Sequence, residues 1–191
     1  MPALILASTS PYRRELLSRL RLPFEAVAPE VDETALLAET PAALAERLAL
    51  AKARAVAARH PGAVVIGSDQ VADLDGEAIG KPGTHERAVE QLRRMSGRQV
   101  VFQTAVAVVA PGLAVIERAE VRVRFRALSD AAIEAYLRAD KPYDCAGSAK
   151  VESLGVALLD AVESDDPTAL IGLPLIRTCA LLRRAGLDPL A

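Results

Sequence analysis

Apolar and polar positions along this chain switch between two periods, and each switch marks an element. A short continuous apolar run at residues 3–7 reads as a buried strand. Residues 11–20 then place Leu16, Leu17 and Leu20 at helical spacing, a stripe that a helix turns toward a core. A second strand is expected at residues 24–28, between Pro23 and Pro29. Thr40 and Pro41 supply an N-cap and a first helical position for an alanine- and leucine-rich helix running to about Arg59, where Pro61 and Gly62 stop it. Residues 63–67 are apolar again, which puts Ser68, Asp69 and Gln70 at a strand end. Asp75-Gly76 marks a turn, residues 80–83 are irregular, and Thr84 opens a helix that reaches about Met95.

The second half reads differently. Two long β-type runs, residues 99–110 and 113–126, are joined by Pro111-Gly112 as a hairpin. In its second arm the period is two: Val121, Val123 and Phe125 share one face, and Arg122, Arg124 and Arg126 the other. Three arginines on a face can hold phosphate, but such a face is ordinarily solvated. Ser129 caps a helix to about Arg138, residues 141–155 are loop-like, a short strand is expected at 156–159, and Pro174 starts a last helix to Arg184. Early strands alternating with helices, followed by a long hairpin, predict an α/β fold with a mixed, twisted sheet and flanking helices. At 191 residues the chain is expected to form one domain, residues 1–191.

Composition narrows the function. Hydrophobic residues make up 51% and tryptophan is absent, so an aliphatic core is expected. A net charge of −2 and a pI near 5.8 argue against binding a nucleic-acid polymer or a membrane surface; an anion would need a local pocket. Cys145 and Cys179 do not make a disulfide framework or a zinc motif and read as free thiols in a reducing compartment. His60 and His85 stand in no metal or triad pattern and read as surface residues. No secretory signal is legible, and no run approaches the roughly 20 apolar residues of a membrane span, so a cytoplasmic protein is expected.

The densest chemistry lies in residues 4–19. An apolar run ends in Ser8-Thr9-Ser10-Pro11, then Arg13 and Arg14 open a helix. Small hydroxyl residues before a helix N-terminus suit an anion, because the first-turn amides and the dipole point at it. Arginine forks match phosphate oxygens. A plain strand–helix corner with solvated arginines is the alternative from this stretch alone. Further polar residues lie at strand ends or in loops: Glu33, Asp69, Gln70, Lys81 and Glu152, with Lys52 on a helix. Cations for phosphate beside carboxylates for a hard metal are the components of metal-assisted phosphoryl chemistry. No Walker A motif, dinucleotide fingerprint or Ser–His or Cys–His pair competes with that reading. Each residue singly is also compatible with a solvated or capping role.

Together these motifs resemble a known family. Residues 6–17, LASTSPYRRELL, resemble the N-terminal signature of the Maf family, and Val31-Asp32-Glu33 its acidic loop. Ile66-Gly67-Ser68-Asp69-Gln70, Leu74-Asp75-Gly76 and Gly80-Lys81-Pro82 follow in the family's order, then Ala146-Gly147-Ser148 and Ile171-Gly172-Leu173-Pro174. The resemblance implies a nucleoside triphosphate pyrophosphatase that cuts between the α and β phosphates with a divalent metal, Mg or Mn. It also implies two lobes around a nucleotide cleft, a fold akin to inosine triphosphate pyrophosphatases, and a homodimer. By position it implies Asp69 as proton acceptor for the attacking water, Lys52 and Lys81 as catalytic cations on the phosphates, Ser8, Arg13 and Arg14 as phosphate contacts, and Glu33 with Asp69 as metal carboxylates.

Three positions depart from the dTTP- and UTP-cleaving branch. Tyr12 stands where that branch has Arg, Gln70 where it has Thr, and Glu152 where it has Gln. The pattern resembles the branch acting on 7-methyl-GTP. A carboxylate only accepts, so Glu152 suits guanine, whose N1–H and exocyclic amine are adjacent donors. N7 methylation makes the purine cationic, which strengthens an anionic partner and suits the face of Tyr12. The dTTP/UTP-type enzyme is the alternative, as is a non-catalytic nucleotide-binding regulator of cell division, a role that has no need of the intact Asp69, Lys52 and Lys81 set.

Overall fold

The four apolar residues Leu4–Ala7 form strand β1, and all four are buried, as a strand covered on both faces requires. In this computed structural model, which describes residues 2–191, the chain continues as α1 (Pro11–Ser18), β2 (Glu25–Val27), α2 (Pro41–Ala57), β3 (Val64–Leu74), β4 (Glu77–Ile79) and α3 (His85–Met95). The hairpin β5 (Gln99–Ala110) and β6 (Leu113–Phe125) follows, then α4 (Asp130–Asp140), β7 (Leu159–Glu163) and α5 (Leu175–Arg184). Ser10, Thr40, Thr84 and Ser129 are the N-caps of the first four helices, each accepting from the amide three residues on, an arrangement that contributes roughly 1 kcal/mol apiece.

The seven strands make one mixed sheet in the order β2-β1-β3-β5-β6-β7, with β4 paired to the far end of β3. β1 runs parallel to β2 and β3, and the remaining pairings are antiparallel. Strand alternation assigns the faces. Val65 and Val71 of β3 pack with Ala105 and Ala107 of β5 under α2. On the opposite face, Val64, Ile66, Val106 and Val108 pack against Leu16 and Leu17 of α1 and Leu181 and Leu182 of α5. Further along that face, Ala72, Leu74, Phe102, Val121, Val123 and Phe125 pack against α3 and α4. Between those two clusters lies a buried polar band that includes Ser68 and Thr104. No helix among the described residues is long and apolar enough to cross a membrane.

Four details differ from the sequence expectation. β3 does not end at Gly67; it runs on to Leu74, so Ser68, Asp69 and Gln70 sit in mid-strand. β5 pairs with every residue from Val65 to Asp73, and this ladder holds the backbone extended whatever the side chains are. The last strand is Leu159–Glu163, whereas Leu154–Leu158 is a 3-10 turn. Its Asp160 and Glu163 reflect an edge strand half open to water, which weakened the apolar signal. β4 is a three-residue return strand made by the Asp75-Gly76 turn, where φ is 54° and 87°. The core is also not purely aliphatic: Phe102, Phe125 and Tyr136 gather in the α3/α4 half. Arg122 and Arg124 do form a solvated face, opposite the buried Val121, Val123 and Phe125.

Candidate active site

The inward stripe of α2 is Leu44, Ala45, Leu48, Ala49, Lys52, Ala53 and Val56, so Lys52 occupies a core-facing position. It is 5% exposed and Asp69 is 7% exposed. The Lys52 ammonium donates to Asp69 Oδ1 at 2.6 Å and pairs with Glu33 Oε1 at 2.7 Å. Two buried charges are tolerable here because they satisfy each other. Gly67 makes the approach possible, since a Cβ there would stand 2.2 Å from the Ala49 carbonyl oxygen and 2.6 Å from the Ala53 amide.

Glu33 comes from the loop between β2 and α2, and Arg47 of α2 pins that loop. Its guanidinium donates to the Thr34 carbonyl at 3.0 Å and to both Glu39 oxygens at 2.6 and 2.8 Å. The Glu39 carboxyl is drawn down to about 2, first by that hydrogen bond and then by the Leu36 amide. Burial pushes the Glu33 carboxyl up, but the hydrogen bond from Lys52 and the charges of Lys52, Lys81 and Arg13 outweigh it and hold it below the usual range. Neither Arg47 nor Glu39 was singled out from sequence; the signal was two charges eight residues apart flanking a helix start.

The opposite wall is the β1–α1 corner. Ser8 Oγ accepts from the Ser10 amide at 3.1 Å, and Ser10 Oγ accepts from the Arg13 amide at 3.4 Å. Arg13 Nε donates to the Gly172 carbonyl at 2.8 Å, which aims the rest of the fork into the cavity. Burial lowers the Arg13 pKa, against the pull of Asp69 and Glu33. The Gln70 amide donates among Thr104 Oγ1 at 3.0 Å and the carbonyls of Ala169 and Leu170 at 2.9 and 3.0 Å. Gln70 therefore holds the loop that presents Gly172 to Arg13, and only its carbonyl oxygen is left for a ligand.

The third wall joins Lys81 to the 144–152 segment. The Gly83 amide donates to the Tyr143 carbonyl, the Gly147 amide to the Gly80 carbonyl, and Gln91 bridges Gly80 and Ser148 at 3.1 and 2.6 Å. His85 is half-buried rather than a free surface residue: Nδ1 lies 2.9 Å from the Tyr143 hydroxyl and Nε2 3.1 Å from Glu134. Tyr12 is half-buried and carries the Lys150 ammonium 5.5 Å from its ring centroid. Desolvation at the wall raises the Glu152 carboxyl above the usual range, with Lys150 opposing and Asp140 and Asp144 adding. Cys145 is a free thiol that burial pushes up to about 12, so it stays neutral.

These walls enclose a cavity of about 300 Å³. Eight of the residues expected from sequence line it: Ser8, Tyr12, Arg13, Glu33, Lys52, Gln70, Lys81 and Glu152. Asp69 joins them through its ion pair with Lys52. Arg14, one residue beyond Arg13, is exposed and does not line the cavity. Arg13, Lys52 and Lys81 stand close enough to Glu33 to hold its carboxyl down, with Asp144 and Glu152 on the 144–152 wall, so the three cations mark the place for an anion. Among the described residues no group of three or more His, Cys, Asp or Glu is placed to hold a metal. The pair Glu33 and Asp69 does converge on a single cation, the Lys52 ammonium.

The curated relatives align over nearly the whole chain. A 7-methyl-GTP pyrophosphatase of Albidiferax ferrireducens is 66% identical over 98% of this chain and 95% of its own length. One of Bordetella pertussis is 66% identical over 99% of this chain and 95% of its own. Among solved structures, a HAM1 protein from Coxiella burnetii is similar with a TM-score of 0.49 and 19% identity, over 65% of this chain and 73% of that one. Residues 3–185 match the family described as Maf-like protein. With that match over nearly its whole length, and the signature residues gathered around one cavity, this chain belongs to the Maf family.

Proposed function

We propose that this chain is a nucleoside triphosphate pyrophosphatase that hydrolyses 7-methyl-GTP to 7-methyl-GMP and pyrophosphate. The observation that carries the reading is the buried Asp69–Lys52 pair, met from the solvent side by the exposed Glu33, beside Arg13, Lys81 and a helix N-terminus. The curated relatives named for this activity, aligned over almost the entire chain, support the choice of substrate.

The chemistry follows from the charges. Arg13, Lys81, the hydroxyl of Ser8 and the Tyr12 amide, left free in the first turn of α1 between Pro11 and the capped Arg13 amide, hold the anionic oxygens of the triphosphate. Asp69 accepts the proton of a water that attacks the α-phosphorus. A new P–O bond forms as the bridge to the β-phosphate breaks, and pyrophosphate leaves with the bonding electrons. Lys52 fixes the Asp69 carboxylate in position throughout. Glu33 and Asp69 each meet Lys52 through one oxygen, Oε1 and Oδ1, and each keeps a second hard oxygen donor that suits Mg or Mn, with phosphate oxygens and water completing the set. Glu33 and Asp69 would hold that ion, which would supply positive charge to the phosphoryl oxygens. At the base end, Glu152 takes the guanine donors and Tyr12 the cationic ring.

The reading extends to one domain over residues 1–191 and a cytoplasmic setting, both expected from the sequence itself, and to a homodimer, carried by the family resemblance; sedimentation at enzyme concentration checks the dimer. A panel of 7-methyl-GTP, GTP, dTTP and UTP, scored by pyrophosphate release with Mg or Mn present, tests the substrate. Turnover of dTTP or UTP with none of 7-methyl-GTP would overturn the assignment, and binding without any turnover would favour a regulator.

A further inference from the structure

The cation over Tyr12 is not accounted for by the mechanism above. Lys150 places its ammonium 5.5 Å from the Tyr12 ring centroid, within cation–π range. Its backbone is held from three sides: its amide donates to the Tyr136 hydroxyl at 2.9 Å, and its carbonyl accepts from the Ser153 and Gly155 amides at 3.1 and 2.9 Å. Gly155 is needed for that winding, because a Cβ there would stand 2.4 Å from the Lys150 carbonyl oxygen. The segment is thus built to present a cation at the wall where Tyr12, Ala149 and Glu152 line the cavity.

We propose that Lys150 is a specificity-determining residue that donates to the 6-oxo group of the bound base, beside the Glu152 carboxylate that accepts from its amino edge. The inference rests on the nucleotide-pyrophosphatase reading of this cavity. Guanine presents an acceptor, O6, next to the N1–H and exocyclic amine donors. An ammonium and a carboxylate two residues apart match that edge in sign. Adenine presents an amino donor at the same position, which meets the Lys150 ammonium donor to donor. A ring stacked on Tyr12 takes the place Lys150 now holds and leaves the ammonium at the ring's edge. The ammonium is repelled by a ring methylated at N7, and the adjacent Glu152 carboxylate offsets that repulsion.

The test is kcat/KM for the wild type, Lys150→Met and Lys150→Arg on 7-methyl-GTP, inosine triphosphate and ATP. Inosine triphosphate shares O6 and N1–H with guanine nucleotides and lacks the exocyclic amine. Loss of one charged hydrogen bond predicts a fall of about 10- to 100-fold for both 6-oxo substrates in Lys150→Met, with ATP unchanged or improved. Lys150→Arg keeps a donor and holds the preference for 6-oxo over 6-amino bases within about threefold of wild type. Equal losses on all three substrates, or an unchanged ratio of inosine triphosphate to ATP in folded Lys150→Met, would overturn the proposal. Failure of the 7-methyl-GTP assignment is seen separately, in the wild type alone, because the inosine triphosphate to ATP ratio does not involve the methyl group.

Discussion

The Lys52 ammonium reaches the Asp69 carboxylate at 2.6 Å because Gly67, two residues before Asp69 on β3, lets the backbone of α2 lie against the sheet. The helix supplies Ala49 and Ala53 at the contact, and Lys52 is the residue between them that projects past it. Any side chain at position 67 drives α2 outward and separates the ion pair.

Gly67→Ala is therefore expected to be costly in two ways. Its Cβ would meet backbone, which cannot rotate aside, so destabilisation is expected at or above the upper end of the usual overpacking range of about 1–3 kcal/mol. Urea unfolding measures this, and catalytic loss should exceed what the unfolded fraction explains. A stable, fully active variant would show that the close approach is not needed.

Asp69→Asn keeps the size of the side chain and removes the proposed base. Turnover should fall by about 10²–10⁴-fold, the usual contribution of a general base, with the melting curve showing a folded protein. Activity within a few-fold of wild type would remove Asp69 from that role.

Glu152→Gln replaces an acceptor-only group with one that both donates and accepts. It should reduce kcat/KM for 7-methyl-GTP by about tenfold or more while changing dTTP and UTP turnover little, because only the guanine edge offers adjacent donors. Equal effects on all nucleotides would locate Glu152 away from the base.

Metal dependence separates Glu33 from Asp69. Chelation should abolish pyrophosphate release, and added Mg or Mn should restore it. In Glu33→Gln the metal concentration giving half-maximal rate should rise about tenfold or more, a loss expected when one ligand or its partner is removed. An unchanged metal titration curve would place Glu33 outside the metal set.

The Arg47–Glu39 clamp gives a pH signature. The Glu39 carboxyl lies at about 2 in the folded protein, below its ordinary value of 4.5. A depressed carboxyl stabilises the fold above its unfolded value and loses that contribution as pH falls through the folded one. The melting-temperature difference between wild type and Glu39→Gln should be full above pH 4.5 and shrink toward pH 2. A difference independent of pH would mean that the carboxylate charge is not what holds the loop.

The local elements were legible because their signals are local. Ser10-Pro11, Thr40-Pro41, Thr84 and Ser129 stated four helix starts, and the caps form as read. Pro111-Gly112 between two alternating runs stated the long hairpin. Asp69 was misplaced at a strand end because a polar triplet resembles a terminus, while the ladder to β5 that keeps it extended is formed with residues 28 to 44 positions away in sequence. β7 was misplaced for the same reason, its partner strand lying far back in the chain.

The site divides the same way. Motifs readable along the chain name the chemical groups available: the Ser8–Arg13 corner, Asp69, Lys81, Glu33 and Glu152. Arg13 and Arg14 are equivalent in sequence; helix geometry sends only the first toward Gly172 and the cavity. Lys52 reads as an ordinary helix lysine until its place on the buried stripe, opposite a glycine, is seen. Gln70 reads as a specificity residue, yet its amide is bound to the Ala169–Leu170 backbone, about a hundred positions away in sequence. Tertiary structure alone decided these orientations, because a buried charge or amide takes its direction from the partner that satisfies it, and those partners are distant in sequence.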